Sequence, residues 1–154
     1  MQYYKIMALR KKGKSISEYE GAKGDVRDAI FGMDVDVLVP ATVTDVINDG
    51  NKNSIRAKIV VEGANISMSE KIERELHERG ILVVPDFIAN AGGVISSYAE
   101  YKGYKPEKMF KMVEEKIKKS TKDVISSALA NKAFPRDVAL KMAQDRVAKA
   151  TKKK

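Results

Sequence analysis

The sequence predicts an α/β fold: a parallel sheet of about three strands, near residues 35–39, 58–62 and 81–84, flanked by helices and followed by a helical C-terminal third. Three observations carry this. Asp34-Val35-Asp36-Val37-Leu38-Val39-Pro40, Lys58-Ile59-Val60-Val61-Glu62 and Ile81-Leu82-Val83-Val84 are short, β-branched and apolar on both sides, as strands covered on both faces are. Helical sequence separates each run from the next, which right-handed βαβ units require. From Asn90 onward the apolar residues fall almost entirely on helical spacings.

The chain opens on a helical pattern over 2–12, with Tyr3, Ile6, Met7 and Arg10 at spacings of three and four and Gly13 as the stop. Residues 14–24 form a polar connection, and Asp25 caps a short helix to about Phe31 that Gly32 ends. Pro40 closes the first strand. A short helical segment from about Thr42 to Asn48, then a further turn or helix to Arg56, leads to the second strand, which Gly63 ends. Ser67-Met68-Ser69-Glu70 fits a capping box, with the Ser67 hydroxyl on the N–H of residue 70; the helix it starts puts Met68, Ile72 and Leu76 on one face and stops at Gly80. Pro85 stops the third strand. With Asn90 as cap and a glycine pair behind it, a helix covers 90–102 and Gly103 interrupts it. Pro106 suits the first turn of a long helix to about Ala130, whose apolar stripe runs from Met109 and Phe110 to Ala128 and breaks only at Ser120-Thr121. Pro135 opens a last helix with Ala139, Met142, Ala143, Val147 and Ala150 on one side.

Composition removes much chemistry. The 154 residues contain no Cys, which excludes disulfides, thiolate metal sites and thiol nucleophiles, and the single His77 excludes a multi-histidine metal site. No apolar run approaches the roughly 18 residues of a membrane span, and the first residues do not read as a secretory signal, so a cytoplasmic protein without membrane contact is expected. The charge is uneven. Residues 1–101 carry 13 basic and 15 acidic side chains, a net of −2, and residues 102–154 carry 16 and 6, a net of +10. These lysines lie on all sides of their helices without interleaved aromatics, which fits a solvated surface better than a nucleic-acid face. His77 sits in the charged stretch Glu73–Arg79 and reads as a surface residue, Asp34 and Asp36 as solubilising groups at a strand start, and Gly21-Ala22-Lys23-Gly24 as a chance match to an RNA-binding loop.

In an open parallel sheet, ligands bind beyond the carboxyl ends of the strands. Here these are Val39-Pro40-Ala41-Thr42, Glu62-Gly63-Ala64-Asn65 and Pro85 through Gly93, each combining a small residue with a polar one. Such residues also make ordinary strand-to-helix turns. In the third loop, Gly92 and Gly93 leave the first helical N–H groups open to a carboxylate or carboxamide, with Ser96 and Ser97 one turn further in.

The words and order of these segments resemble the glutamate dehydrogenase family, which includes the leucine, phenylalanine and valine dehydrogenases. The resemblance lies in Asp34 through Ala41, Ala57-Lys58-Ile59-Val60-Val61-Glu62-Gly63-Ala64-Asn65, and Gly80 through Val94, with Arg136-Asp137-x-Ala139 and Arg146-Val147-x-x-Ala150 in the last helix. It runs from about Met7 to the end and is densest over 34–94. It implies a Rossmann-like nicotinamide-binding domain, of which residues 1–104 supply half, with residues 105–154 as C-terminal helices packing on it. It implies that Ala41, Thr42 and Asn65 line the nicotinamide and ribose side of a site for NAD or NADP, that Asn90 lies near the nicotinamide or the amino acid, and that Ser97 contacts the substrate's side chain. No catalytic residue is assigned, because the family's catalytic Lys and Asp belong to a preceding domain.

No G-x-G-x-x-G occurs among the ten glycines, so the turn that would hold the pyrophosphate is missing, as is the acidic residue about 20 positions on that reads the ribose. The sequence also departs from the family pattern at Ile66-Ser67-Met68-Ser69-Glu70 and at Ala99-Glu100-Tyr101. The expected function is therefore a C-terminal cofactor-domain fragment of an NAD(P)-dependent amino-acid oxidoreductase, inactive alone, that partners with itself or with a missing N-terminal domain. A stand-alone oligomerising module derived from such a domain, and nucleic-acid binding through the basic third, stay open as alternatives.

Overall fold

In the computed structural model, which describes residues 3–21 and 28–152, the three apolar runs pair in parallel as β1 (Val37–Leu38), β2 (Ile59–Val61) and β3 (Leu82–Val84), in that order. Val37 and Leu38 register with Ile59 and Val60, and Ile59, Val60 and Val61 with Leu82, Val83 and Val84. Three helical stretches precede or connect these strands' surroundings: α1 (Tyr3–Lys11), α2 (Glu70–Glu78) between β2 and β3, and a single turn, α3 (Asp86–Ala89), directly after β3. Then come α4 (Gly92–Tyr101), α5 (Pro106–Asn131) and α6 (Pro135–Thr151). Pro stands in the first turn of both α5 and α6, where its missing N–H costs nothing.

The chain divides into two compact units, one up to Ile30 and one from Phe31. In the first, α1 buries none of its residues and ends at Gly13, whose φ of +68° turns the chain. Ser15 then caps a one-turn 3-10 segment, Ile16–Glu18, in a full capping box within what the sequence reads as a polar connection. The expected helix from Asp25 and the Gly21–Gly24 loop fall largely on residues 22–27, outside the described residues.

The second unit holds the core, in which Ile47, Val60, Leu76 and Val83 are fully buried and Met68, Ile72, Leu38 and Ile55 pack with them. Helix α2 carries Ile72 and Leu76 against the sheet, and Gly80, at φ +81°, reverses the chain into β3. Three expectations need correction. Residues 42–48 form no helix: Asp45 sits at φ +51°, and the N–H groups of Asp45 and Ile47 donate to the carbonyls of Ile66 and Ser67 rather than within a helical turn. The cap of α2 is Ser69, which accepts from the Ile72 N–H, because the Ser67 hydroxyl is buried and donates to Glu62. Asn90 does not cap α4; Ala91 holds that position and the Asn90 side chain turns toward Asn65. Strand β1 is also barer than a doubly covered strand, since Val37 and Val39 are exposed.

Candidate functional site at the strand ends

The carboxyl ends of the strands converge on a cleft of about 580 Å³, lined by Ala41 to Thr44, by Gly63, Ala64 and Asn65, and by Asn90. Its walls are held by one backbone and one side-chain bond between loops: the Ala64 N–H donates to the Pro40 carbonyl at 2.9 Å, and the Asn90 carboxamide donates to the Asn65 Oδ1 at 2.6 Å. Gly63 is required by closeness, for a Cβ there would stand 3.0 Å from the Ala41 Cβ and 3.4 Å from the Pro40 oxygen. Gly63→Ala is therefore expected to cost about 1–3 kcal/mol by overpacking, read as a lower urea midpoint, with shifted amide resonances at Ala41 and Thr42.

The rim is strained where it is pinned. Ile66, β-branched, adopts φ +50°, a left-handed conformation that such residues rarely hold. Its N–H donates to Asp86 Oδ2 at 3.0 Å and its carbonyl accepts from Asp45, so both sides of the strained residue are fixed. All four residues expected at a cofactor, Ala41, Thr42, Asn65 and Asn90, line this one cleft. Ser97 does not: it is exposed on α4 and its hydroxyl donates to the Gly93 carbonyl at 3.1 Å. Of the glycine pair, Gly92 packs closely on α5, where a Cβ would meet Val113 at 3.3 Å, and Gly93 faces open space. Among the described residues the cleft lining carries hydroxyls, carboxamides and methyl groups and no charged side chain, so it suits a neutral, hydrogen-bonding group.

Beneath the cleft lies a charge cluster that the sequence reading did not find. Arg136, in the first turn of α6, bonds three carboxylates at once: its Nη2 reaches Glu62 at 3.0 Å and Asp86 at 3.1 Å, and its Nε donates to Glu73. Glu62 and Glu73 are fully buried. Glu62 also accepts from the Ser67 hydroxyl at 2.6 Å, whereas Glu73 Oε1 has no partner among the described residues. Burial pushes the Glu73 carboxyl up to about 7, and Arg136 offsets this only in part. Burial likewise raises Glu62 against the pull of Ser67 and Arg136. For Asp86, burial is outweighed by the Ile66 and Phe87 amides and by Arg136, and the group is held below the usual carboxylate range. One signal for the cluster was present in the sequence: Glu73 follows Ile72 and precedes Leu76 by three, which places it on the buried face of α2. Among the described residues no group of three or more acidic, His or Cys side chains is arranged to hold a metal ion, and no helix is long and apolar enough to cross a membrane.

A parallel sheet with a neutral polar cleft at its strand ends is the arrangement of doubly wound α/β domains that bind small ligands or cofactors. The chain belongs to the Glutamate/Leucine/Phenylalanine/Valine dehydrogenase family, a family of NAD(P)-dependent oxidoreductases, whose model matches residues 1–154. It is 45% identical over 102 residues to an NADP(+)-dependent glutamate dehydrogenase of Pyrobaculum calidifontis, a match that covers 65% of this chain and 24% of that protein. The crystal structure of L-tryptophan dehydrogenase from Nostoc punctiforme matches at a TM-score of 0.77 and 28% identity over 88% of this chain and 41% of its own. The hetero-hexameric glutamate dehydrogenase of Thermus thermophilus, in a leucine-bound form, shares the fold at a TM-score of 0.79 and 24% identity, over 99% of this chain and 37% of its own. The chain thus spans about a quarter of the curated relative's length.

Proposed function

We propose that this chain corresponds to the C-terminal part of the cofactor domain of an amino-acid dehydrogenase, with residues 1–104 in that domain and 105–154 as the helices that follow, and that its cleft receives the nicotinamide–ribose end of NAD or NADP. The observation that carries this is the meeting of Ala41, Thr42, Asn65 and Asn90, from three separate loops, on one cleft. The donor set fits that end of the cofactor: hydroxyls and carboxamides match a carboxamide and ribose, and the close Gly63–Ala41 approach leaves a small-residue floor for a flat ring. It does not fit the pyrophosphate, since no cation among the described residues lines the cleft and no glycine-rich phosphate turn occurs in these 154 residues. When bound, the cofactor supplies a hydride acceptor. The chain's own part is to hold: Thr42 and Asn65 offer hydrogen bonds, and Asn90 orients the Asn65 carboxamide. By resemblance to the family alone, Ser97, which lies outside this cleft, is assigned to the amino acid's side chain.

Amino-acid oxidation needs both partners oriented together, and orientation accounts for much of such a rate, so half a cleft does not turn over. Nicotinamide mononucleotide in the millimolar range should shift the amide resonances of Ala41, Thr42, Asn65 and Asn90, while the isolated chain reduces neither NAD nor NADP with glutamate. Shifts confined to other residues, or steady turnover, would overturn the reading. We also assign the protein to the cytoplasm and to an oligomer, the oligomer because of the hexameric relative and the exposed Val37 in β1 and Val39 just after it; light scattering that finds a monomer at high concentration would remove the second part. The basic third carries no comparable support for nucleic acid: on α5, Lys111, Lys118 and Lys119 pair with Glu115, Glu114 and Asp123 in the manner of a solvated helix.

A further inference from the structure

We infer that Arg136 is a positioning residue for the cleft, fixing through Glu62 and Asp86 the two loops that present Asn65 and Asn90. The inference rests on the reading of that cleft as the cofactor site. Arg136 stands 46 residues beyond Asn90 on a different element, yet it bonds the root of each loop. Glu62 is the residue after β2, and Asn65 follows three positions on. Its second oxygen takes the Ser67 hydroxyl, so the 62–67 loop is strapped shut around Asn65. Asp86 opens α3, and its carbonyl accepts from the Asn90 N–H at 2.8 Å. Its side chain accepts from Ile66, the neighbour of Asn65, at 3.0 Å. One guanidinium therefore holds both anchors whose far ends carry the Asn65–Asn90 bond.

The fork geometry matters. A planar guanidinium donates to Glu62 and Asp86 from Nη2 while its Nε serves Glu73; an ammonium keeps the charge but lacks that fixed spread of donors. If the fork is lost, buried carboxylates on neighbouring loops face each other with less compensation, and the loops part where Asn65 and Asn90 meet.

The test compares Arg136→Lys with Arg74→Lys. Arg74 also ties α6 to α2, through Asp137, but at the exposed edge and away from the cleft. In ¹⁵N spectra of the full chain, Arg136→Lys should move the side-chain NH2 resonances of Asn65 and Asn90 toward free-carboxamide positions and weaken the nicotinamide mononucleotide response roughly tenfold, the scale of one lost charge-assisted bond. Arg74→Lys should leave both unchanged. Unmoved resonances in Arg136→Lys, or equal movement in Arg74→Lys, would overturn the proposal. If Arg136→Lys does not fold, Asp86→Asn decides, because it keeps the shape and removes one anchor's charge: the same resonances must move. If the unmutated chain ignores the mononucleotide, the cofactor reading fails, and the resonance comparison still decides what Arg136 does.

Discussion

Glu73→Gln is expected to stabilise the protein by about 2–3 kcal/mol above pH 7 and to change little near pH 4.5. The cause is the mismatch between three carboxylates and one guanidinium. Arg136, from α6, faces Glu62 at the end of β2, Asp86 at the start of α3 and Glu73 on α2, with the Ser67 hydroxyl as the remaining neutral neighbour of Glu62. Glu73 has the poorest arrangement, since one of its oxygens is buried without a partner among the described residues. Its carboxyl is raised from 4.5 to about 7, so the folded protein binds a proton there that the unfolded chain has already released. Stability from this group is complete below pH 4.5 and is lost as the pH climbs through about 7. Glu62 slopes the same way. Asp86, held low, slopes oppositely: its contribution is present above its ordinary value of 3.8 and is lost as the pH falls further. Urea unfolding midpoints measured from pH 4.5 to 8 should decline for the natural chain and decline less steeply in Glu73→Gln, whose amide copies the protonated acid while Glu62 still titrates. A variant that is less stable than the natural chain at pH 8 would show that Glu73 is needed as an anion.

What the sequence disclosed about the fold follows the range of the interactions concerned. Strand and helix positions depend on local periods and on punctuation by Gly and Pro, so Pro106 and Pro135 open α5 and α6 where they are read to, and Gly13 and Gly80 end α1 and α2. The segment 42–48 failed because its donors go to residues 66 and 67, a partner that periodicity within the segment does not reveal. Ser67 failed for the same reason: a cap depends on the hydroxyl being free, and Glu62 takes it. That Ala41, Thr42, Asn65 and Asn90 meet at one cleft was legible because strand ends in a parallel sheet converge and because the motif words sit on those ends. Arg136 was not. Its partners stand 50, 63 and 74 residues away, and nothing local distinguishes its charge from that of Lys141 or Arg146 on the same helix.

Leu76→Ala is expected to cost about 2–5 kcal/mol, the range for an emptied leucine site. Leu76 is fully buried and sits at the centre of α2's inward face, between Ile72 and the start of β3. A helix of 9 residues is too short to persist on its own, so α2 exists because it docks. Its remaining anchors cannot collapse into the gap: Ile72 is on the same rigid turn, Met68 lies before the helix, and Glu73 is tied to Arg136. Ser69 at one end and Gly80 at the other, both fixed by backbone geometry, hold the helix ends in place and keep the cavity open. The measurement is a urea midpoint at constant slope, paired with hydrogen exchange on α2. A loss under 1 kcal/mol would mean that the 42–56 segment moves in to fill the site; in that case the amides of Asp45 and Ile47, which donate to residues 66 and 67 at the cleft rim, would exchange faster than in the natural chain.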